Sequence, residues 1–167
     1  RDFHKVIYEV AVAARQRERV AEHPEWIEDT LMQMVENATE VTAIEHARAL
    51  LARSQLLREA QHFFSEFDLL LTPQMPVAAW SKAPGPREGP QEIDGRSTPT
   101  MFDRLPFTYP FNLTGQPAAS VPCGFTSDGL PVGLQIVGRW RDEATVLRAA
   151  ACFEAAQPWT GIRPSIG

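Results

Sequence analysis

Ten of the fourteen prolines in this chain fall between Pro73 and Pro122. Each proline fixes φ near about −65° and removes a backbone N–H, so neither a long helix nor a central strand runs through such a stretch. The chain therefore divides into a helical half, a proline-rich connector, and a compact segment of strands with one helix. All four histidines (His4, His23, His46, His62) lie in the helical half. A length of 167 residues with 44% apolar and 22% charged residues suits one soluble globular domain.

Charge and cysteine usage exclude some function classes. A net charge of −5 lacks the basic footprint of a nucleic-acid binder. No run reaches the ~18 apolar residues of a membrane helix, and no targeting segment opens the chain. Cys123 and Cys152 are too few for a disulfide framework and point to a reducing, cytoplasmic setting. The first residue is Arg1 rather than methionine, which suggests a fragment or a processed product.

The helical half holds three predicted helices. Phe3, Val6, Val10, Ala13 and Arg17 recur at three-to-four spacing, with a charged far end at Arg15–Arg19. His23-Pro24 breaks that helix, and Pro24 suits the first turn of a shorter one that buries Ile27, Leu31 and Met34, with Asn37 as a left-handed stop. Thr42 and Glu45 form a capping box at the start of the third. Its apolar stripe is Ala43, Ala47, Leu50, Ser54, Leu57, Ala60, Phe64 and Phe67, a span of roughly 39 Å.

Residues 68–72 follow as a short apolar run stopped by Pro73. This fits a strand buried on both faces, with a last helical turn as the alternative because leucine is a weak strand former. The connector, residues 73–111, carries the turn signals Pro84-Gly85-Pro86, Gly89-Pro90 and Asp94-Gly95. At that length, without secondary structure of its own, it reads as a lid, a wrap or a loose surface loop. Phe102, Leu105, Phe107, Tyr109 and Phe111 favour a packed second half. Residues 112–167 contain two strands, Ala118–Phe125 and Leu130–Gly138, joined through Asp128-Gly129, where both turn residues tolerate positive φ. In the second strand Val132, Leu134 and Ile136 share one face, and Gly133, Gln135 and Val137 the other. Pro122 belongs at a strand end or an unpaired edge. Asp142 caps a closing helix whose buried stripe is Val146, Ala150 and Phe153, and Pro158 closes it.

Taken residue by residue, the sequence presents no active site. It has no Gly-x-Ser-x-Gly elbow, no phosphate-binding glycine loop, and no histidine or cysteine spacing that suits a metal. Cys123 reads as a small buried hydrophobe. Lys5 and Lys82 lack the buried surroundings that would lower a lysine pKa enough to make it a base. Asn37-Ala-Thr39 and Asn112-Leu-Thr114 match the glycosylation triplet, a pattern common by chance.

The stretch Asn112-Leu-Thr-Gly115-Gln-Pro117-Ala-Ala-Ser120-Val-Pro122-Cys-Gly124, with Gly129-Leu-Pro131-Val-Gly133-Leu-Gln135-Ile-Val-Gly138, resembles the C-terminal stretch of the amidase signature family. Asp142-Glu-Ala-Thr-Val-Leu147 and Asp68-Leu-Leu-Leu-Thr-Pro73 extend the match, which runs from about residue 20 to 159. The resemblance implies an α/β fold, a mixed sheet flanked by helices, of which residues 1–167 would be the C-terminal part. It further implies cofactor-free hydrolysis of a small carboxamide to a carboxylate and ammonia or an amine. The intermediate is an acyl-serine, made by a nucleophilic serine, a relay serine and a lysine base.

Those catalytic positions lie upstream in the family, in a portion this chain does not contain, so no catalytic residue carries over. What carries over is one wall of the substrate cleft, with Phe107, Thr108 and Asn112 as candidate substrate-binding residues. The alternative is that Asn112 and Gly115 only pin a turn. The glutamine-hydrolysing subunit of tRNA-dependent amidotransferases carries an acidic residue seven positions before that asparagine. Leu105 stands there here, with Asp103 two residues away, which favours a stand-alone amidase. A non-catalytic binding or scaffold module is the rival from another class. No metal, nucleic-acid or membrane partner is expected, and an unpaired sheet edge would favour self-association.

Overall fold

The computed structural model describes residues 2–80 and 89–162. They form two compact units that meet in the chain between Arg58 and Glu59. Lys82 and Pro84-Gly85-Pro86 lie outside the described residues.

In the first unit, α1 (Phe3–Glu22) buries Val6 and half-buries Phe3, Val10 and Ala13, while Arg15, Arg17 and Arg19 face water. Its end falls at His23, as the following proline dictates. Pro24 opens a 3-10 turn, Pro24–Trp26, on which the His23 ring stacks at 4.0 Å from Trp26. Helix α2 (Asp29–Thr39) starts later than expected, so Ile27 precedes it, and its fully buried residue is Val35. Asn37 is not a left-handed stop but a helical residue. Its side-chain amide donates to the buried Glu9 carboxylate at 2.9 Å, a tertiary partner that outweighs asparagine's preference for helix ends.

Helix α3 (Ala43–Glu66) starts at the expected capping box. The Glu45 N–H donates to Thr42 Oγ1 at 3.2 Å, and the Thr42 N–H donates to Glu45 Oε2 at 2.8 Å. The expected stripe holds at the C-terminal end, where Phe64 is buried and Leu57 and Ala60 are half-buried, but not before it: Ala49, off the stripe, is buried, whereas Ala43, Ala47, Leu50 and Ser54, and Phe67 beyond the helix, are exposed. Between residues 43 and 52 apolar side chains occur on every side of the helix, so periodicity alone does not single out the packed one.

The second unit is built on an antiparallel sheet in the order β1 (Leu69–Pro73), β5 (Pro131–Gly138), β4 (Ala118–Phe125). Helix α5 (Glu143–Ala156) covers one face of it. Val121, Ile136 and Val146 form its buried centre, with Leu69, Leu134, Phe153 and Trp159 packed around them. The helix comes this close because β5 ends in a glycine: a Cβ on Gly138 would stand 2.5 Å from Val146 Cγ2. The two units thus combine α-helices and an antiparallel sheet in an α/β fold.

Four details correct the expectations. The strand at residues 69–73 is an edge strand and is not buried on both faces, for Leu71 is 57% exposed. The connector carries its own elements: a hairpin of β2 (Glu92–Ile93) and β3 (Arg96–Ser97), a 3-10 turn at Met101–Arg104, and α4 (Tyr109–Thr114). At Asp94-Gly95 both turn residues have positive φ, 50° and 72°, whereas at Asp128-Gly129 only Gly129 does. The longer hairpin closes instead over a wider loop, with the Thr126 N–H on the Leu130 carbonyl at 2.9 Å. Finally, Cys123 is half-buried, because it is the extra residue of a β-bulge between Pro122 and Gly124 on the sheet edge. No helix among the described residues is long and apolar enough to cross a membrane.

Candidate functional site

Side chains alternate along β5, so Gln135, between Leu134 and Ile136, points away from the α5 side. On that other face Thr72, Gln135 and Ser120 stand in one row, because Thr72 and Ser120 both pair with Gln135. Gln135 is 3% exposed. Its Nε2 donates to Thr72 Oγ1 at 2.9 Å and to the Phe107 carbonyl at 2.7 Å. A buried carboxamide is costly unless it is hydrogen-bonded, and here both amide hydrogens find acceptors.

Phe107 and Thr108 thus lie beside the sheet on the turn that leads into α4. The Thr108 hydroxyl donates to the Leu105 carbonyl at 3.1 Å, and its N–H reaches the same oxygen. Asn112 sits within α4 and is exposed, while Thr114 at the helix end is buried, its hydroxyl hydrogen-bonded to the Pro110 carbonyl at 2.9 Å and to the Gln116 side-chain amide. Gly115, at φ 77°, ends the helix beside Trp140. Phe107 and Thr108 are therefore brought together on the sheet, and Asn112 stands one helical turn further on.

A groove of about 550 Å³ opens on the same unit. Residues 74–80 form one side, and Ser120, Pro122, Val132 and Gly133 of the long hairpin form the other. Its walls are mostly apolar, with Gln74, Ser120 and the Trp80 indole as polar points. Gly133 lets the two sides approach: a Cβ there would lie 2.9 Å from Ser120 Oγ and 3.0 Å from Gln74 Cβ.

The described residues show no arrangement of nucleophile and base. Ser54 and Ser65 donate to the main-chain carbonyls of Leu50 and His62, Cys123 Sγ lies 3.4 Å from the Val132 carbonyl, and no described serine or cysteine is hydrogen-bonded to a histidine or lysine side chain. The buried polar residues that escaped the sequence reading include Gln135 and Arg104. Gln135 was legible only as a member of one strand face; the missed signal was a lone amide inside an apolar run. Arg104 is buried with Nε on the Pro90 carbonyl at 3.0 Å and with Nη2 unpartnered among the described residues.

The arrangement of helices and an antiparallel sheet is similar to that of solved amidases. The amidase family model matches residues 4–147, and the chain belongs to the amidase signature family. It is 36% identical over 139 residues to an acylamidase of Rhodococcus erythropolis, covering 83% of this chain and 28% of that protein. It is 40% identical over 121 residues to a glutamyl-tRNA(Gln) amidotransferase subunit of Chloroflexus aggregans, covering 72% of this chain and 23% of the relative. Among solved structures it resembles a bacterial aryl acylamidase of the amidase signature family, at TM-score 0.78 and 30% identity, over 95% of this chain and 34% of that one. The chain thus spans about a quarter of the length of these curated relatives.

Proposed function

We propose that residues 1–167 are the C-terminal segment of an amidase that hydrolyses a small carboxamide to a carboxylate and ammonia or an amine. In this reading both units belong to one amidase-signature domain. They supply sheet and one wall of the substrate cleft, with Phe107, Thr108 and Asn112 facing the substrate. The serine nucleophile, relay serine and lysine base come from residues outside this chain, and the reaction passes through an acyl-serine.

One observation carries this reading. Gln135 ties the Phe107 carbonyl to the central strand and so fixes the backbone beside Thr108, yet no described serine or cysteine is hydrogen-bonded to a histidine or lysine side chain. Similarity to an amidotransferase subunit supports a second reading, glutamine hydrolysis for a tRNA-dependent transferase. Leu105, a neutral side chain where that branch carries an acid, favours the stand-alone amidase. The free cysteines Cys123 and Cys152 support a cytoplasmic setting.

The test is reconstitution. The purified chain is expected to turn over no carboxamide. Co-expressed with the upstream two-thirds of a family relative, it is expected to restore activity that disappears when the relative's serines are replaced. Turnover by the isolated chain would overturn the assignment of the chemistry to residues outside it.

A further inference from the structure

Gln135 holds two pieces of chain that are distant in sequence. Thr72 lies 63 residues before it and Phe107 lies 28 residues before it. The Thr72 bond runs between neighbouring strands that the β1–β5 ladder already joins. The Phe107 bond is different in kind, because it ties the turn before α4 to the middle of the central strand. Its acceptor is a main-chain carbonyl, so it sets the position of the backbone there whatever side chain stands at residue 107.

We propose that Gln135 is a positioning residue for the cleft wall. Its buried carboxamide holds the Phe107 carbonyl at 2.7 Å and so determines where Phe107, Thr108 and Asn112 stand relative to the bound amide. Gln135 itself does not touch substrate. The inference rests on the proposed function for the identity of the wall, but the mechanical part of it is independent of any activity.

Two substitutions separate the bonds. Gln135→Met keeps length and volume but cannot donate, whereas Thr72→Val removes only the acceptor on the neighbouring strand. In hydrogen exchange on the full chain, Gln135→Met is expected to speed exchange across residues 103–113 by about tenfold, with β4 and β5 changed by less than about threefold. Thr72→Val is expected to leave residues 103–113 within about threefold of the parent. Gln135→Glu supplies a further signature: its protonated carboxyl can donate to Phe107 and its carboxylate cannot. Protection of residues 103–113, referred to the parent at each pH, should therefore return on acidification.

In the amidase that carries this chain, Gln135→Met is expected to raise KM about fivefold or more with kcat within about twofold, and Thr72→Val to change neither. Faster exchange spread evenly over the sheet and residues 103–113, unchanged exchange, or a loss of kcat at constant KM would each overturn the proposal. Absence of carboxamide turnover by the parent enzyme would instead overturn the proposed function, and the exchange measurements would still decide whether Gln135 holds the segment.

Discussion

Asp142 shows how a single side chain starts an element. Its carboxylate accepts the Thr145 N–H at 3.3 Å, and bonding to Thr145 is the main cause that holds its pKa below the ordinary carboxylate range. Nearby Arg148 and Arg139 act in the same direction. A carboxyl with a depressed pKa in the folded state adds stability above its unfolded pKa of about 3.9, and that stability is lost as pH falls through the folded value. Asp142→Asn, which cannot ionise, is expected to be less stable than the parent at pH 7. The gap should close on acidification below about pH 4. Urea titrations of both proteins from pH 7 to pH 3 check this, and a gap independent of pH would refute it. The capping role was legible beforehand, because the cap and its partner are three residues apart and their geometry is local.

Packing between elements was less legible. The strand limits at residues 118–125 agree with expectation, and the paired strand begins at Pro131, one residue later than expected. In contrast, the buried side of α3 and the open outer face of β1 depend on neighbours that no local pattern names. Gly138 is a sharp case. Its missing side chain is what allows Val146 of α5 to sit against β5, with 2.5 Å left for any Cβ. Gly138→Ala is expected to cost about 1–3 kcal/mol through overpacking. Val146→Ala removes the obstructing methyl groups, so the double variant should be destabilised by less than the sum of the two single changes. Thermal or chemical denaturation of the four proteins measures that coupling. Strict additivity would show that the close approach carries no strain.

On the scale of the whole molecule, the chain exposes several large apolar side chains. Ile44 and Leu51 of α3 are 67% and 69% exposed, and Leu71 is exposed on β1. In the described sheet β1 and β4 are both edges, each with one side unpaired. Exposed apolar side chains and open strand edges favour association. The isolated chain is therefore expected to self-associate, with a sedimentation coefficient that rises with concentration over roughly a tenfold range. A single monomeric boundary throughout, with a sharp unfolding transition, would favour an autonomous scaffold module instead.

The capped starts of α3 and α5, the proline break after α1, the Asp94-Gly95 turn and the long hairpin strands could be read in advance, because each depends on residues within a few positions of one another. So could the family, since the Asn112–Gly138 stretch is contiguous in the chain. The bond between Gln135 and the Phe107 carbonyl could not, and neither could the burial of Glu9 against Asn37 or the closeness of Val146 to Gly138. Each of those joins groups on separate elements, and only the three-dimensional course of the backbone brings them within reach. Their polar or empty side chains carry no periodic signal of where they will meet.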